Sequence, residues 1–321
     1  MKLALIGYGA VGRAVAVLLE RYRRRFPFRI VAIHTARHGT AYDPRGLGLE
    51  PVFGPPAASV REFLERARAH VMVELTPLNP LTGEPAISHI RTAFELGLHV
   101  VTANKGPLAH AYASLADQAR RAGVQFRFES TVLDGAPVFN LVRHTLPGVR
   151  ILGFTGVLNS TTTVVIETMR RGLTMEEGIE AARNMGITEA DPGYDLDGWD
   201  AAAKTAALAN VLMEARVTPL AVDTKGIRRL TPERLAELAS KGKTVRLVSR
   251  ARRTGSAVRL RVRAEVLPEN HMLAAVGGTS NLLLLHTDLM GTIGTVCLKP
   301  GVEQTAYGIL SDVADLARIA S

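Results

Sequence analysis

Cysteine is nearly absent from this 321-residue chain. Cys297 stands alone, so no disulfide can form within the chain and no cysteine cluster can hold a metal. This fits a reducing compartment, and a cytoplasmic location is the expectation. Long apolar runs are missing too: no stretch approaches the ~18 apolar residues of a membrane span. The apolar start MKLALIGYGAVG is too short for a signal peptide and runs straight into a glycine-rich turn. Aromatic residues make up only 5% of the chain and there is no basic tail, so the stacking platforms and charge blocks of a nucleic-acid binder are lacking. The expected partner is a small molecule, with no nucleic acid and no membrane.

Lysine is scarce as well. Of 39 basic side chains only Lys2, Lys105, Lys204, Lys225, Lys241, Lys243 and Lys299 are lysines. An amine can release its proton where a guanidinium cannot, so a lysine kept against this background is a candidate for proton chemistry. The net charge of +9 has two readings, a solubilising surface or attraction of an anionic ligand such as a phosphate-bearing cofactor. With 47% hydrophobic and 21% charged residues, the chain reads as soluble and globular, and its length suits two domains.

Strands and helices alternate through the first part. Lys2 to Ile6, Arg29 to His34, Val71 to Leu75, His99 to Ala103 and Val124 to Phe128 read as buried strands. Helical spacing covers Arg13 to Arg24, Val60 to His70, Ile87 to Leu96 and Leu108 to Ala122. The fold class is therefore α/β: an N-terminal Rossmann-type, doubly wound parallel sheet over about residues 1–130. Beyond Glu129 the pattern changes to a second, α+β domain of about residues 131–304. There Thr174 and Glu177 form a capping box, Trp199 to Glu214 is a strongly apolar helix, and Val245 to Val266 alternates like antiparallel strands. Residues 305–321 read as a helix returning to the nucleotide domain.

Gly7-Tyr8-Gly9-Ala10-Val11-Gly12 is a G-x-G-x-x-G turn between the first strand and the first helix. Its glycines permit a tight turn, close approach of backbone to a pyrophosphate, and tight helix–strand packing. A dinucleotide is the expected ligand. At the end of the second strand, His34-Thr35-Ala36-Arg37-His38 has no acid to hold a ribose 2′-hydroxyl. Arg37 can instead pair with a 2′-phosphate, so NADPH is preferred over NADH; a solvated loop charge is the other reading of Arg37. His34 and His38 fall across a strand end, which argues against a metal role.

Two further strand ends carry Glu74-Leu75-Thr76-Pro77 and Val101-Thr102-Ala103-Asn104-Lys105-Gly106-Pro107. With Glu129-Ser130-Thr131-Val132-Leu133-Asp134-Gly135-Ala136-Pro137, the loop Gly156 to Thr162, and Gly186 to Pro192 followed by Asp195 to Asp200 and Lys204, the chain resembles the homoserine dehydrogenase family over nearly its whole length. The resemblance implies reversible oxidation of L-homoserine to L-aspartate 4-semialdehyde, in a short form lacking a regulatory domain, as a homodimer. It implies proton transfer by Lys204 and a second active-site lysine at Lys105. Glu189 and Asp200 match substrate-contacting acids, with Asp195 in the same cluster. Thr76, Lys105 and Gly186 match cofactor contacts. Glu129 and the carbonyls of Val132, Asp134 and Ala136 match a monovalent-cation site such as one for Na⁺; a plain hinge loop is the alternative. The chain departs from the family pattern at Ser160 and Thr163, at Asp134, and at Lys299-Pro300-Gly301.

The residues suit that chemistry. Hydride transfer to an aldehyde leaves negative charge on oxygen, which needs a cation or a proton donor. Asp200 and Lys204 are i, i+4 on one helix and share a face. Read in isolation they are an ordinary surface pair; beside the acids Glu189, Asp191, Asp195 and Asp197 they read as catalytic, with Glu189 facing an ammonium and Asp191 and Asp197 mostly structural. Two other readings remain: another two-domain NAD(P)-dependent dehydrogenase of amino-acid or sugar metabolism, or an NADPH-binding sensor without turnover.

Overall fold

The structure, a computed structural model, describes residues 1–188 and 191–319. The chain divides into two compact units, Met1–Leu141 with Gly301–Ser321, and Val142–Pro300.

The first unit runs β1 (Lys2–Ile6), α1 (Ala10–Arg21), β2 (Arg29–Thr35), β3 (Gly39–Tyr42), α2 (Val60–Ala67), β4 (Val71–Glu74), α3 (Ala86–Glu95), β5 (His99–Thr102), α4 (Gly106–Arg121) and β6 (Phe126–Arg127). The strands lie in the order β3-β2-β1-β4-β5-β6. β1, β2, β4, β5 and β6 are mutually parallel, and β4 is buried along its whole length, as a strand covered on both faces must be. The strand order reverses at β1 and β4, and the crevice beyond the carboxyl ends of such neighbours is where doubly wound sheets bind ligands.

One edge of the sheet carries a strand that the sequence reading did not include. β3 runs antiparallel to β2, so Arg37 lies in a hairpin turn rather than an open loop. Gly39 makes the hairpin possible: its φ is +85°, and an added Cβ would lie 2.1 Å from the Gly54 carbonyl oxygen. At the opposite edge the expected strand Val124 to Phe128 shortens to Phe126–Arg127.

α5 (Phe139–Thr145) spans the division between the units. The second unit continues with β7 (Ile151–Val157), α6 (Ser160–Arg170), α7 (Met175–Asn184), α8 (Gly193–Leu196), α9 (Trp199–Met213), β8 (Asp223–Lys225), α10 (Pro232–Ser240), β9 (Lys243–Thr254), β10 (Ala257–Pro268), β11 (Asn281–Thr287) and β12 (Thr292–Cys297). Its sheet has the order β12-β11-β7-β9-β10-β8 and is antiparallel apart from the β8–β10 pair. The Thr174–Glu177 capping box opens α7: the Glu177 amide donates to Thr174 Oγ1 at 3.2 Å, and the Thr174 amide to Glu177 Oε2 at 2.7 Å. α9 is alanine-rich and buried nearly all round, which suits a helix inside a core.

α11 (Val302–Ile319) belongs to the first unit. Its Ile309, Leu310 and Val313 join Val15, Leu18 and Leu19 of α1 and Leu3 and Leu5 of β1 in one apolar cluster. Among the described residues, no helix is long and apolar enough to cross a membrane.

Candidate active site

The glycine turn follows β1. Gly7 has φ +102°, and an added Cβ would meet the Leu75 carbonyl oxygen at 2.7 Å, so both conformation and space demand glycine. Gly12 packs against the turn itself, where an added Cβ would meet the Gly7 oxygen at 3.1 Å. Gly9 differs: a Cβ there would face open space. Gly9 is also the N-cap of α1, and no side chain caps that helix end. Ala10 and Val11 follow in the first turn of α1. A helix N-terminus left open to a small anion, with nothing but hydrogen on the approach, fits a pyrophosphate. Tyr8 turns its ring inward, with its hydroxyl donating to the Leu49 carbonyl at 3.0 Å.

Arg37 is exposed in the β2–β3 turn. His34 and His38 go to different partners: the His34 ring packs on Phe63 and the His38 ring on Phe53. Burial, and secondarily the charge of His89, hold His34 below the ordinary histidine range. Among the described residues no cluster of histidine, cysteine and acids forms a metal site.

Thr76 and Lys105 lie just past the ends of β4 and β5, which are adjacent in the sheet. Asn104 ties the two ends together. Its Nδ2 donates to the carbonyls of Thr76 at 3.0 Å and Pro77 at 3.3 Å, and its Oδ1 accepts from the Gly106 amide at 2.9 Å. Lys105 is the N-cap residue of α4, held between those anchors.

In the second unit, Asp195, Asp200 and Lys204 come together around Asn159. Lys204 Nζ donates to the Leu158 carbonyl at 2.7 Å and lies 3.2 Å from Asp200 Oδ2. Asn159 Nδ2 donates to Asp195 Oδ1 at 2.6 Å and to Asp200 Oδ2 at 2.9 Å. The same Asn159 caps α6, its Oδ1 accepting from the Thr162 amide at 2.8 Å. One buried side chain therefore spaces two carboxylates and starts a helix. Thr188 Oγ1 approaches Asp195 Oδ2 at 3.4 Å. Gly186 follows α7 with φ +69°, a conformation that favours glycine. Glu189 lies outside the described residues.

The remaining acids have structural partners. Asp197 receives the Arg228 guanidinium at 2.5 Å and 3.1 Å, and Asp191 accepts from the Gly193 amide at 2.9 Å. The departures at Ser160 and Thr163 are accommodated: their hydroxyls donate to the Thr279 and Asn159 carbonyls at 2.9 Å and 3.1 Å.

Glu129 is buried, and its carboxylate accepts three backbone N–H groups, from Val138 at 2.5 Å, Phe139 at 2.9 Å and Asn140 at 2.6 Å. It thus serves the N-terminus of α5, where a negative charge is favoured. Asp134, with φ +49°, and Gly135, with φ +86°, turn the loop between Val132 and Ala136. An added Cβ on Gly135 would lie 2.2 Å from the Gln304 carbonyl oxygen. A bound cation would have to share a carboxylate that these amides already engage.

Sequence reasoning placed no role on Asn159 alone, nor on Asp312. Asp312 is fully buried; it accepts from the Glu129 amide at 2.8 Å and from Asn140 Nδ2 at 3.0 Å. The available signal for Asn159 was its position directly before the helix that starts at Ser160. Asn is a strong N-cap, and its amide leaves donors over.

Comparison with known proteins adds an independent line. A family model described as "Homoserine dehydrogenase" matches residues 137–314, and one described as "Homoserine dehydrogenase, NAD binding domain" matches residues 7–129. A homoserine dehydrogenase from Methanocaldococcus jannaschii is 36% identical, over 98% of this chain and 97% of that protein. An NAD(+)-dependent homoserine dehydrogenase from Pseudomonas canavaninivorans is 32% identical, over 100% of this chain and 97% of its own length. Among solved structures, a homoserine dehydrogenase from Thiobacillus denitrificans superposes with a TM-score of 0.86 at 27% identity, covering 100% of this chain and 74% of that one. A hyperthermophilic archaeal homoserine dehydrogenase in complex with NADPH superposes with a TM-score of 0.81 at 26% identity, covering 98% of this chain and 96% of that one.

Proposed function

The chain belongs to the homoserine dehydrogenase family, and from that premise we propose how its own residues serve the reaction. It is an oxidoreductase that interconverts L-homoserine and L-aspartate 4-semialdehyde. NADP(H) or NAD(H), bound at the glycine turn, supplies the hydride acceptor in one direction and the donor in the other. The residues of the chain handle the proton, the substrate's charges and the cofactor's phosphates.

Lys204 holds the proton of the reacting hydroxyl. In oxidation its amine takes that proton as the hydride leaves carbon; in reduction it returns the proton to the new alkoxide. The observation that supports this is the pairing of Lys204 with Asp200 at 3.2 Å, in a cluster where Asn159 also bridges Asp195. Asp200 orients the amine. Asp195, Asp200 and Glu189 present negative charge to the substrate's ammonium. Lys105 adds a second amine to the reaction. Gly7, Gly9, Ala10, Val11 and Gly12 receive the pyrophosphate, Arg37 faces the 2′-phosphate of NADPH, and Thr76, Lys105 and Gly186 complete the cofactor contacts.

A monovalent cation such as Na⁺ on Glu129 and the carbonyls of Val132, Asp134 and Ala136 is part of this reading. Activity unchanged after exhaustive removal of Na⁺ and K⁺ would set it aside. The protein works as a cytoplasmic homodimer. In the second unit, α6, α9 and α10 pack against β9. A concavity of about 1160 Å³, lined by residues that include Leu152, Thr155, Arg250 and Arg259, offers a surface for a second copy. A solution mass of one chain would contradict the dimer.

The deciding experiment follows nicotinamide absorbance with L-homoserine and each of NADP⁺ and NAD⁺. Homoserine-dependent reduction is expected. Cofactor binding without turnover would instead favour a sensor, and turnover of a different alcohol would favour another two-domain dehydrogenase.

A further inference from the structure

One fully buried carboxylate in the first unit has no role in the chemistry above. Glu74 is the last residue of β4 and is 0% exposed. In the parallel register His34, Ile6, Glu74 and Thr102 form one row across β2, β1, β4 and β5. Register partners in a parallel sheet direct their side chains to the same face. The row lies at the carboxyl ends of the strands, directly before the glycine turn, Thr76 and Lys105.

The Glu74 carboxylate is held by neutral donors. The Thr76 amide donates to Oε1 at 3.2 Å, and the Thr76 hydroxyl donates to the same oxygen in a very short contact. The Thr102 hydroxyl approaches Oε2 at 3.4 Å. Thr102 Oγ1 also accepts from the Asn104 amide at 3.0 Å, and Asn104 clamps Thr76, Pro77 and Gly106. One carboxylate therefore sits under both segments that carry Thr76 and Lys105.

A buried carboxylate without a counter-charge is costly. The cation-forming group beside Glu74 is His89 of α3, whose Nδ1 stands 3.5 Å from Oε1 with its side chain only 13% exposed. Among the described residues that nitrogen has no hydrogen-bond partner, and neither does Nδ1 of His34. His34, on β2, stands in the same register row as Glu74, and His89 comes from α3. The direction of the hydrogen bonds depends on the charge of Glu74. An ionised carboxylate only accepts, so the Thr76 hydroxyl must give its proton inward and keep its lone pairs available outward.

We propose that Glu74 is a positioning residue for the cofactor. As a buried acceptor for the Thr76 amide and hydroxyl, it fixes the orientation of Thr76 and, through Thr102 and Asn104, the segment carrying Lys105. The proposal rests on the reading that Thr76 touches the cofactor. The His89 ring closes the α3 side of the same carboxylate, 3.5 Å from Oε1.

The test compares Glu74→Gln, His89→Gln and Thr76→Val in the full-length protein, measuring KM for NADP⁺ and NAD⁺ and kcat separately at saturating L-homoserine. Glu74→Gln is isosteric, removes the charge and exchanges one accepting oxygen for an N–H donor. It is expected to raise cofactor KM roughly tenfold, the scale set by small losses of positioning, with kcat within a few-fold of wild type. His89→Gln removes the ring beside Oε1 and is expected to raise cofactor KM in the same direction, again with kcat near wild type, and it answers the question by itself if Glu74→Gln does not fold. If both variants keep the wild-type KM while Thr76→Val raises KM, the positioning role is overturned and the cofactor reading stands. If Thr76→Val also leaves KM unchanged, the cofactor reading at Thr76 fails, and the role of Glu74 fails with it.

Discussion

Lys204 Nζ stands 3.2 Å from the carboxylate of Asp200, one helical turn along α9, and 2.7 Å from the Leu158 carbonyl. Both side chains are about one-sixth exposed, at 16% and 17%. An exposed i, i+4 pair of this kind stabilises a helix by only ~0.3–0.5 kcal/mol. Here the pair is mostly shielded, and the acid is also gripped by Asn159. The arrangement aims an amine at a fixed point rather than decorating a surface.

Asn159 offers a clean dissection of that aim. Asn159→Asp keeps an oxygen for the Thr162 amide, so the helix cap survives, but it replaces the donor between Asp195 and Asp200 with a third negative charge. Its kcat/KM for L-homoserine is expected to fall roughly ten- to a hundredfold, with a thermal midpoint near that of the wild type. Asn159→Ala is expected to lose activity and also about 1 kcal/mol of stability, because the cap goes too. Steady-state kinetics and thermal melts of the two variants check this. Equal activity in Asn159→Asp and wild type would remove the bridge from the account.

The proposed role of Arg37 predicts a difference between the two nicotinamide cofactors. Arg37→Ala is expected to raise KM for NADP⁺ by roughly ten- to a hundredfold, the scale of a lost charge-assisted hydrogen bond, while KM for NAD⁺ stays near the wild-type value. Parallel kinetics with both cofactors measure it. Equal effects on the two would mean that the arginine of the β2–β3 turn does not meet the 2′-phosphate.

Stability should fall on mild acidification. Burial comes first among the causes that hold His34, His70, His99 and His286 below the ordinary histidine value of 6.5, with nearby positive charge second. The folded state therefore resists protonation that the unfolded chain accepts. The stabilisation is present above the unfolded pKa and is lost as pH falls through the lower folded values. Carboxylates act further down; Glu237, for example, is drawn to about 2 by Lys241 and Arg234. Thermal melts from pH 7.5 to 5 should show a declining midpoint. A midpoint that held steady or rose would contradict the burial of these imidazoles.

Much of the first unit was legible because its signals are local. Four buried residues in Lys2–Ile6, a glycine turn and an amphipathic helix follow one another without interruption. The Thr174–Glu177 capping box was equally plain. β3 was not legible, because it exists through Gly39 meeting the Gly54 carbonyl and through pairing with β2, contacts that no window of sequence contains. α5 was hidden for the same reason: the acid at its N-terminus, Glu129, lies ten residues before Phe139. β8 is three residues long and exists as an edge pairing on β10. In the site, the Asp200–Lys204 spacing could be read directly, since α9 fixes it. The roles of Asn159 and Glu74 could not, because each depends on residues brought in from another element.

The most direct test of the central claim is turnover of L-homoserine by Lys204→Arg, with NADP⁺ affinity measured separately by fluorescence titration. Arginine keeps the positive charge beside Asp200 but does not exchange its proton. A fall in kcat on the order of 10²-fold or more, with cofactor affinity close to wild type, is the predicted result. Turnover within a few-fold of wild type would show that the amine of Lys204 does not carry the proton.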